Sequence, residues 1–283
     1  MLARLSLPRD ARIWQIAFQA ILLAVGVLVR DFSLAASQMA LCFAAGLATQ
    51  ALWIRALGLR NVGYLSAVIT CLGLSLLLRA DSLWVHPLAA AIALSAKFTL
   101  RLRGKHLFNP AMLGVIVAVL MLPGAWISPG QWGSDLALAV WFLALGGFVA
   151  SRAQRADTSW VFLAAYLVLI GLWYLWLGKS FASWMHHLQS GALLLFAFFM
   201  ISDPMTTPDR RSARILHAVC VAAVAFAWQF LLYKPNGLVW ALFFCVPLVP
   251  LLDAVLPGRR FRWREPAEPA ATIARKDSWS TAR

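Results

Sequence analysis

Ten apolar stretches joined by short basic connections decide what this chain can fold into. They run over residues 13–29, 34–54, 62–78, 83–100, 111–126, 135–150, 160–177, 188–201, 215–233 and 238–256. A helix of about 20 apolar residues spans the roughly 30 Å hydrocarbon core of a bilayer. The expected fold is therefore all-α: a polytopic membrane protein of about ten transmembrane helices. Composition agrees, since 62% of the residues are hydrophobic and only 13% are charged, against about a quarter charged in soluble domains. The stretches at 111–126 and 188–201 are short for a crossing, which points to tilted, broken or re-entrant helices.

Charge then sets orientation. The formal net charge is +14, but the cations sit in the connections, where membrane orientation and anionic lipids account for them without nucleic acid. With the N-terminus in the cytoplasm, Arg30, Arg79, Lys179 and Lys234 are the outside cations, and the other 21 of the 25 Lys and Arg fall inside. The alternation holds at every connection, so both termini are expected in the cytoplasm. Residues 1–12 hold three arginines and no cleavable signal pattern, so the first span is expected to act as its own insertion signal. Residues 1–256 form the expected transmembrane domain and 257–283 a basic tail, expected to be disordered. Its Arg259-Arg260-Phe261-Arg262-Trp263-Arg264 run suits anionic headgroups as well as it suits a topology signal.

Two motifs break the apolar pattern. The first, Gly104-Lys105-His106-Leu107-Phe108-Asn109-Pro110-Ala111-Met112, follows the cations Lys97, Arg101 and Arg103. Asn109 suits an N-cap and Pro110 the first helical position, where a missing N–H costs nothing. A helix N-terminus beside four cations is a seat for an anionic group; the simpler reading is a transmembrane helix starting beside an inside loop. The second motif, Phe199-Met200-Ile201-Ser202-Asp203-Pro204-Met205-Thr206-Thr207-Pro208, is followed by Arg210, Arg211 and Arg214. Asp203-Pro204 repeats the cap-then-proline order, so a helix is expected to open there. Both motifs fall on the cytoplasmic side. Asp81-Ser82 with His86-Pro87 and the pair Asn109-Pro110 and Pro235-Asn236 add a weak internal symmetry. It suggests a five-plus-five inverted repeat with a binding site where broken helices meet.

Other chemistry is sparse. Cys42, Cys71, Cys220 and Cys245 contain no Cys-x-x-Cys pair and lie inside apolar stretches, as small packing residues do. His186-His187 lacks a carboxylate at ligand spacing, and no metal site is expected. His217 reads as a packed histidine. Most of the 14 tryptophans fit an interfacial belt, with Trp173 and Trp176 available to stack on a ring system.

Together the two motifs resemble the RnfD/NqrB family, membrane subunits of Rnf and Na+-translocating NADH:quinone reductase type electron transport complexes. The resemblance covers roughly residues 62–253. It implies a bacterial inner-membrane subunit, not an enzyme alone, that works with other membrane redox subunits and couples electron transfer to ion movement. It also implies flavin, FMN or riboflavin. Family members with covalent FMN carry it on the threonine of a Ser-Gly-Ala-Thr type motif between the two signatures. Here the only threonine between them before Thr206 is Thr158, without that approach, so covalent FMN is not expected and any flavin is noncovalent. In that reading Asn109, Asp203 and Thr206 would meet the ring or ribityl chain, and Lys105, His106, Arg210 and Arg211 the phosphate of FMN. The family fold is also similar to urea channels, which implies an alternative small-solute permease with a path lined by Asp203, Thr70 or His86. A third reading is a structural subunit that only docks partners.

The charge alternation predicts that a Lys179→Cys variant on a cysteine-free background reacts with an impermeant maleimide on intact cells. Labelling that needs lysis would reverse the orientation.

Overall fold

The computed structural model describes residues 10–60, 62–128 and 136–261. Every apolar stretch holds a helix. They are α1 (Ala11–Val29), α2 (Ala36–Ala56), α3 (Leu65–Leu77), α4 (Val85–Thr99), α5 (Pro110–Met121), α6 (Leu136–Arg152) and α7 (Ala156–Trp176). There follow α8 (Phe181–Leu188), α9 (Gly191–Leu195) with a π-helical turn Phe196–Met200, and α10 (Arg211–Phe226) with a π-helical turn Ala227–Leu231. The chain closes with α11 (Gly237–Phe244) and α12 (Leu248–Val255), bent by 46° to one another. Among the described residues four helices are long and apolar enough to cross a membrane, five if that bent pair is one span. The chain is an all-α polytopic membrane protein.

The remaining apolar helices are short, and the chain completes their path by other means. The 13 residues of α3 reach about 20 Å at 1.5 Å per residue. The chain then extends as strand β1 (Leu78–Ala80), antiparallel to β4 (Ala125–Ile127) beyond α5. All three β1 residues are buried. The pairing is what lipid demands, because an extended segment at membrane depth must bond its backbone within the protein. A second ribbon, β2 (Arg101–Leu102) with β3 (Lys105–His106), forms a tight hairpin before the first motif. Neither ribbon, nor α8, was expected from the sequence.

Packing relates the two halves. Helix α2 packs along α4 as α7 packs along α10, α4 meets α5 as α10 meets α11, and α1 meets α3 as α6 meets α9 with its π turn. Asn109 and Asn236 both stand at the N-cap, of α5 and α11 respectively. The pairings follow the five-plus-five order suggested by the short sequence matches. The cysteines pack as expected: Cys42 and Cys71 are fully buried across α2 and α3, and each thiol donates to the other's carbonyl, at 3.9 and 3.6 Å.

Arg79 differs from its sequence reading. Expected as a loop cation, it is fully buried and donates to the carbonyls of Ser75 and Leu78 at 2.8 and 2.6 Å. It thus satisfies carbonyls that the end of α3 leaves open.

Asn109 is a true N-cap: its Oδ1 accepts from the Met112 amide at 3.1 Å, with Pro110 at the first helical position. Replacing Asn109 by Ala should lower stability by about 1 kcal/mol, whereas Asp, which also caps, should cost much less. Unfolding of the two variants in one detergent checks this.

Candidate functional site

The two motifs meet. The Asn109 Nδ2 approaches the Met200 carbonyl at 3.5 Å, and both border a cavity of about 290 Å³, near the lower end for small-molecule pockets. Its wall takes Arg12, Gln15 and Gln19 from the start of α1, Ser66, Thr70 and Gly73 from α3, and Lys97 from α4. Arg101 and His106 of the hairpin, Asn109, Phe199 and Met200 from the π turn, and Ser202 to Met205 complete it. The π turn matters locally, because widening of the helix here coincides with its end at the cavity; such turns recur at functional sites.

Asp203 does not open a helix. Its Oδ1 accepts from the Met205 amide at 2.9 Å, closing a tight turn around Pro204, and α10 starts only at Arg211. The expected cap-then-proline helix fails here because the short Asp side chain satisfies the turn instead. The turn continues through Thr206 and Thr207, whose hydroxyls donate to the Asp203 carbonyl at 3.4 and 3.1 Å. Burial pushes the Asp203 carboxyl above its ordinary value, opposed by the Met205 amide, the Thr206 hydroxyl and the charges of Arg155 and Lys97. The cations that act on it are Arg155 and Lys97. Arg155, buried at the start of α7, donates to the Thr207 hydroxyl at 2.9 Å.

His106 also lines the cavity. Burial, then the charges of Lys97 and Arg101, lower its pKa to about 4, so its ring is neutral at pH 7. Its Nδ1 and the Oε1 of Gln19 are enclosed polar atoms with no partner among the described residues. Lys97 is buried and donates to Gln50 Oε1 at 2.9 Å and Ser66 Oγ at 2.6 Å. The cavity thus offers a fixed ammonium, a neutral imidazole, a free amide oxygen and one carboxyl inside apolar walls. That donor and acceptor set suits a planar heterocycle with carbonyl and N–H edges.

Of the seven residues singled out from the sequence, His106, Asn109 and Asp203 line the cavity, and Thr206 stands behind Asp203. Lys105 turns away: its ammonium binds the Thr207 carbonyl at 2.6 Å, Asp253 at 2.7 Å and Asp209 at 3.1 Å. Arg210 is exposed at the N-cap of α10, and Arg211 is exposed with Asp157 3.8 Å away. Thr70 lines the cavity, but His86 is buried elsewhere against the Leu78 carbonyl. Trp173 and Trp176 do not line it and touch each other instead, 4.8 Å between rings. Sequence reasoning missed Gln15, Gln19 and Arg155. Two glutamines four residues apart in an apolar helix were the available signal, since that spacing places both on one face.

A carboxyl whose folded pKa is raised contributes stability that is complete below the unfolded value, near 3.8 for Asp203, and that is lost as pH rises through the folded value. Asp203→Asn keeps the acceptor for Met205 and removes the buried charge. Its thermal midpoint relative to the parent should therefore rise from pH 4.5 to pH 7.5; a constant difference would show that the carboxyl titrates normally.

The model of the NQR2, RnfD, RnfE family matches residues 127–262, a range that holds the second motif but not the first. The RnfD component of the ion-translocating oxidoreductase complex of Pseudomonas aeruginosa is 25% identical over 267 residues, covering 71% of this chain and 75% of the relative. Its counterpart in Cronobacter sakazakii is 30% identical over 151 residues, 53% of this chain and 41% of the relative. That of Stutzerimonas stutzeri is 37% identical over 75 residues, 26% and 21% respectively. Against the latter two the chain spans less than half of the relative's length. The stretch from Ile127 onward, which holds the second signature, is thus similar to the NQR2, RnfD, RnfE family, and the first signature meets it at the same cavity.

Proposed function

We propose that this protein is a membrane subunit of an electron transport system in the bacterial inner membrane, both termini cytoplasmic, that binds a flavin noncovalently in the cavity between the two motifs. Electron transfer would be coupled to ion movement through other membrane subunits, as the names of its relatives suggest. The observation that carries the reading is the convergence of both signatures on one cavity with enclosed, unpartnered Gln19 Oε1 and His106 Nδ1. An isoalloxazine has an imide N–H for an acceptor such as Gln19 and carbonyl oxygens for the Lys97 ammonium and the Asn109 amide. Asp203 and Arg155 would set the local charge, and the apolar walls would exclude water from the ring. Thr158, the alternative acceptor for a covalent link, is fully buried in the first turn of α7 and does not line the cavity.

The test is the absorbance spectrum of the purified protein, before and after reconstitution with riboflavin and with FMN. A flavin spectrum that denaturation releases, with no fluorescent protein band on a denaturing gel, is the expected result. Absence of flavin binding after reconstitution would refute the reading, and a fluorescent band would refute its noncovalent part. Lys97→Met should weaken retention at least tenfold, since it removes the ammonium from the wall.

A further inference from the structure

Some of the cations expected to form an anion seat are already paired. Lys105 is consumed by Asp209 and Asp253, and Arg211 lies beside Asp157. Of the four cations beside that seat Lys97 and Arg101 line the cavity, and Arg260 comes to meet Arg101 at Gly104 on the adjoining hairpin tip. Arg101 lines the cavity and donates from Nη2 to the Gly104 carbonyl at 3.0 Å. The guanidinium of Arg260 lies against the other side of Gly104, so close that a Cβ there would stand 2.9–3.2 Å from three of its atoms. Among the described residues neither arginine has a carboxylate within ion-pair distance.

The backbone holds both in place. Gly104 has φ +75° and Arg103 φ +50°, which fixes the hairpin tip, and buried Lys105 anchors the hairpin from beneath. Arg260 is positioned by the segment after α12: a Cβ on Gly258 would stand within 2.5–2.9 Å of the Asp209–Arg210 backbone, and the Phe261 ring lies 5.0 Å from the Arg155 guanidinium. Two like charges held on one glycine, with no acid among the described residues to offset them, suit a doubly accepting anion.

We propose that Arg101 and Arg260, meeting over Gly104, clamp a phosphate group at the mouth of the cavity. The phosphate is either that of a ligand in the cavity or that of a lipid headgroup, and the first case rests on the flavin reading above. Arg fits this role because its planar fork binds two phosphate oxygens at once. A ligand phosphate at the mouth would place its ring inward, toward Lys97 and Gln19; a lipid phosphate would close the mouth.

The full-length protein in nanodiscs, with Arg101→Gln, Arg260→Gln and Arg260→Lys variants, tests the clamp. For a ligand phosphate, FMN should bind the parent at least tenfold more tightly than riboflavin, and both Gln variants should cut that ratio to about twofold or less. For a lipid phosphate, the two flavins should bind alike, while phosphatidylglycerol should raise the thermal midpoint over phosphatidylcholine in the parent only. Arg260→Lys should keep part of either effect, which loss of packing alone would not explain. If no flavin binds, the flavin reading fails, yet the phosphatidylglycerol arm and a titration with inorganic phosphate at matched ionic strength still decide the clamp. Parent and both Gln variants that respond identically to FMN, phosphatidylglycerol and phosphate would overturn it.

Discussion

The ammonium of Lys105 is the contact on which one end of the bundle depends. It joins the hairpin before the first motif to the Thr207 carbonyl and Asp209 of the second and to Asp253 of the last helix. Asp253 uses its other oxygen to accept from the Asp209 amide at 2.8 Å. Three segments far apart in the chain thus meet at one buried point. Removing Lys105 would leave two buried carboxylates without their cation, which typically costs about 3–5 kcal/mol. Asp157 plays a lesser version of this role at α7, where Arg214 approaches to 2.6 Å.

Among the described residues four apolar helical segments are only 10–17 residues long, short for a full crossing. A helix that ends inside the bilayer leaves amides or carbonyls open, and lipid cannot satisfy them. Each end has its own remedy here. Asn109 caps α5, the carboxyl of Asp203 closes a turn after the π-helical segment, and Arg79 bonds carbonyls at the end of α3. The pairing of β1 with β4 completes the account on the opposite side of the motifs. Of these devices Asn109 and Asp203 border the cavity.

The two halves also differ where their helices break. The two halves pack their helices in the same pairwise order, but their breaks carry different residues. The break after α9 presents Asp203 to a cavity, whereas the break after α3 buries Arg79 under a strand pair. Residues 10–126, outside the region matched by the family model, supply the wall opposite Asp203, including Gln19 and Lys97. The chemistry of the site is therefore divided between the region that the family model matches and the first half of the chain.

The sequence by itself determined the class of fold, the ten helical segments and the cap at Asn109. Those follow from local hydropathy and from an asparagine before a proline, properties that a few neighbouring residues settle. It also placed the two motifs together, through their shared polarity and spacing across the apolar stretches. It could not say which polar groups would be consumed. Lys105 looked available and is tied to Asp253, 148 residues away; Arg79 looked like a loop charge and is buried; Asp203 looked like a helix cap and closes a turn. Gln19 reaches the cavity and Arg260 reaches Gly104 only because α1 and the segment after α12 fold onto the motif end. Only the tertiary structure decided these assignments, because the state of a polar side chain in a membrane protein depends on which distant group removes its need for water.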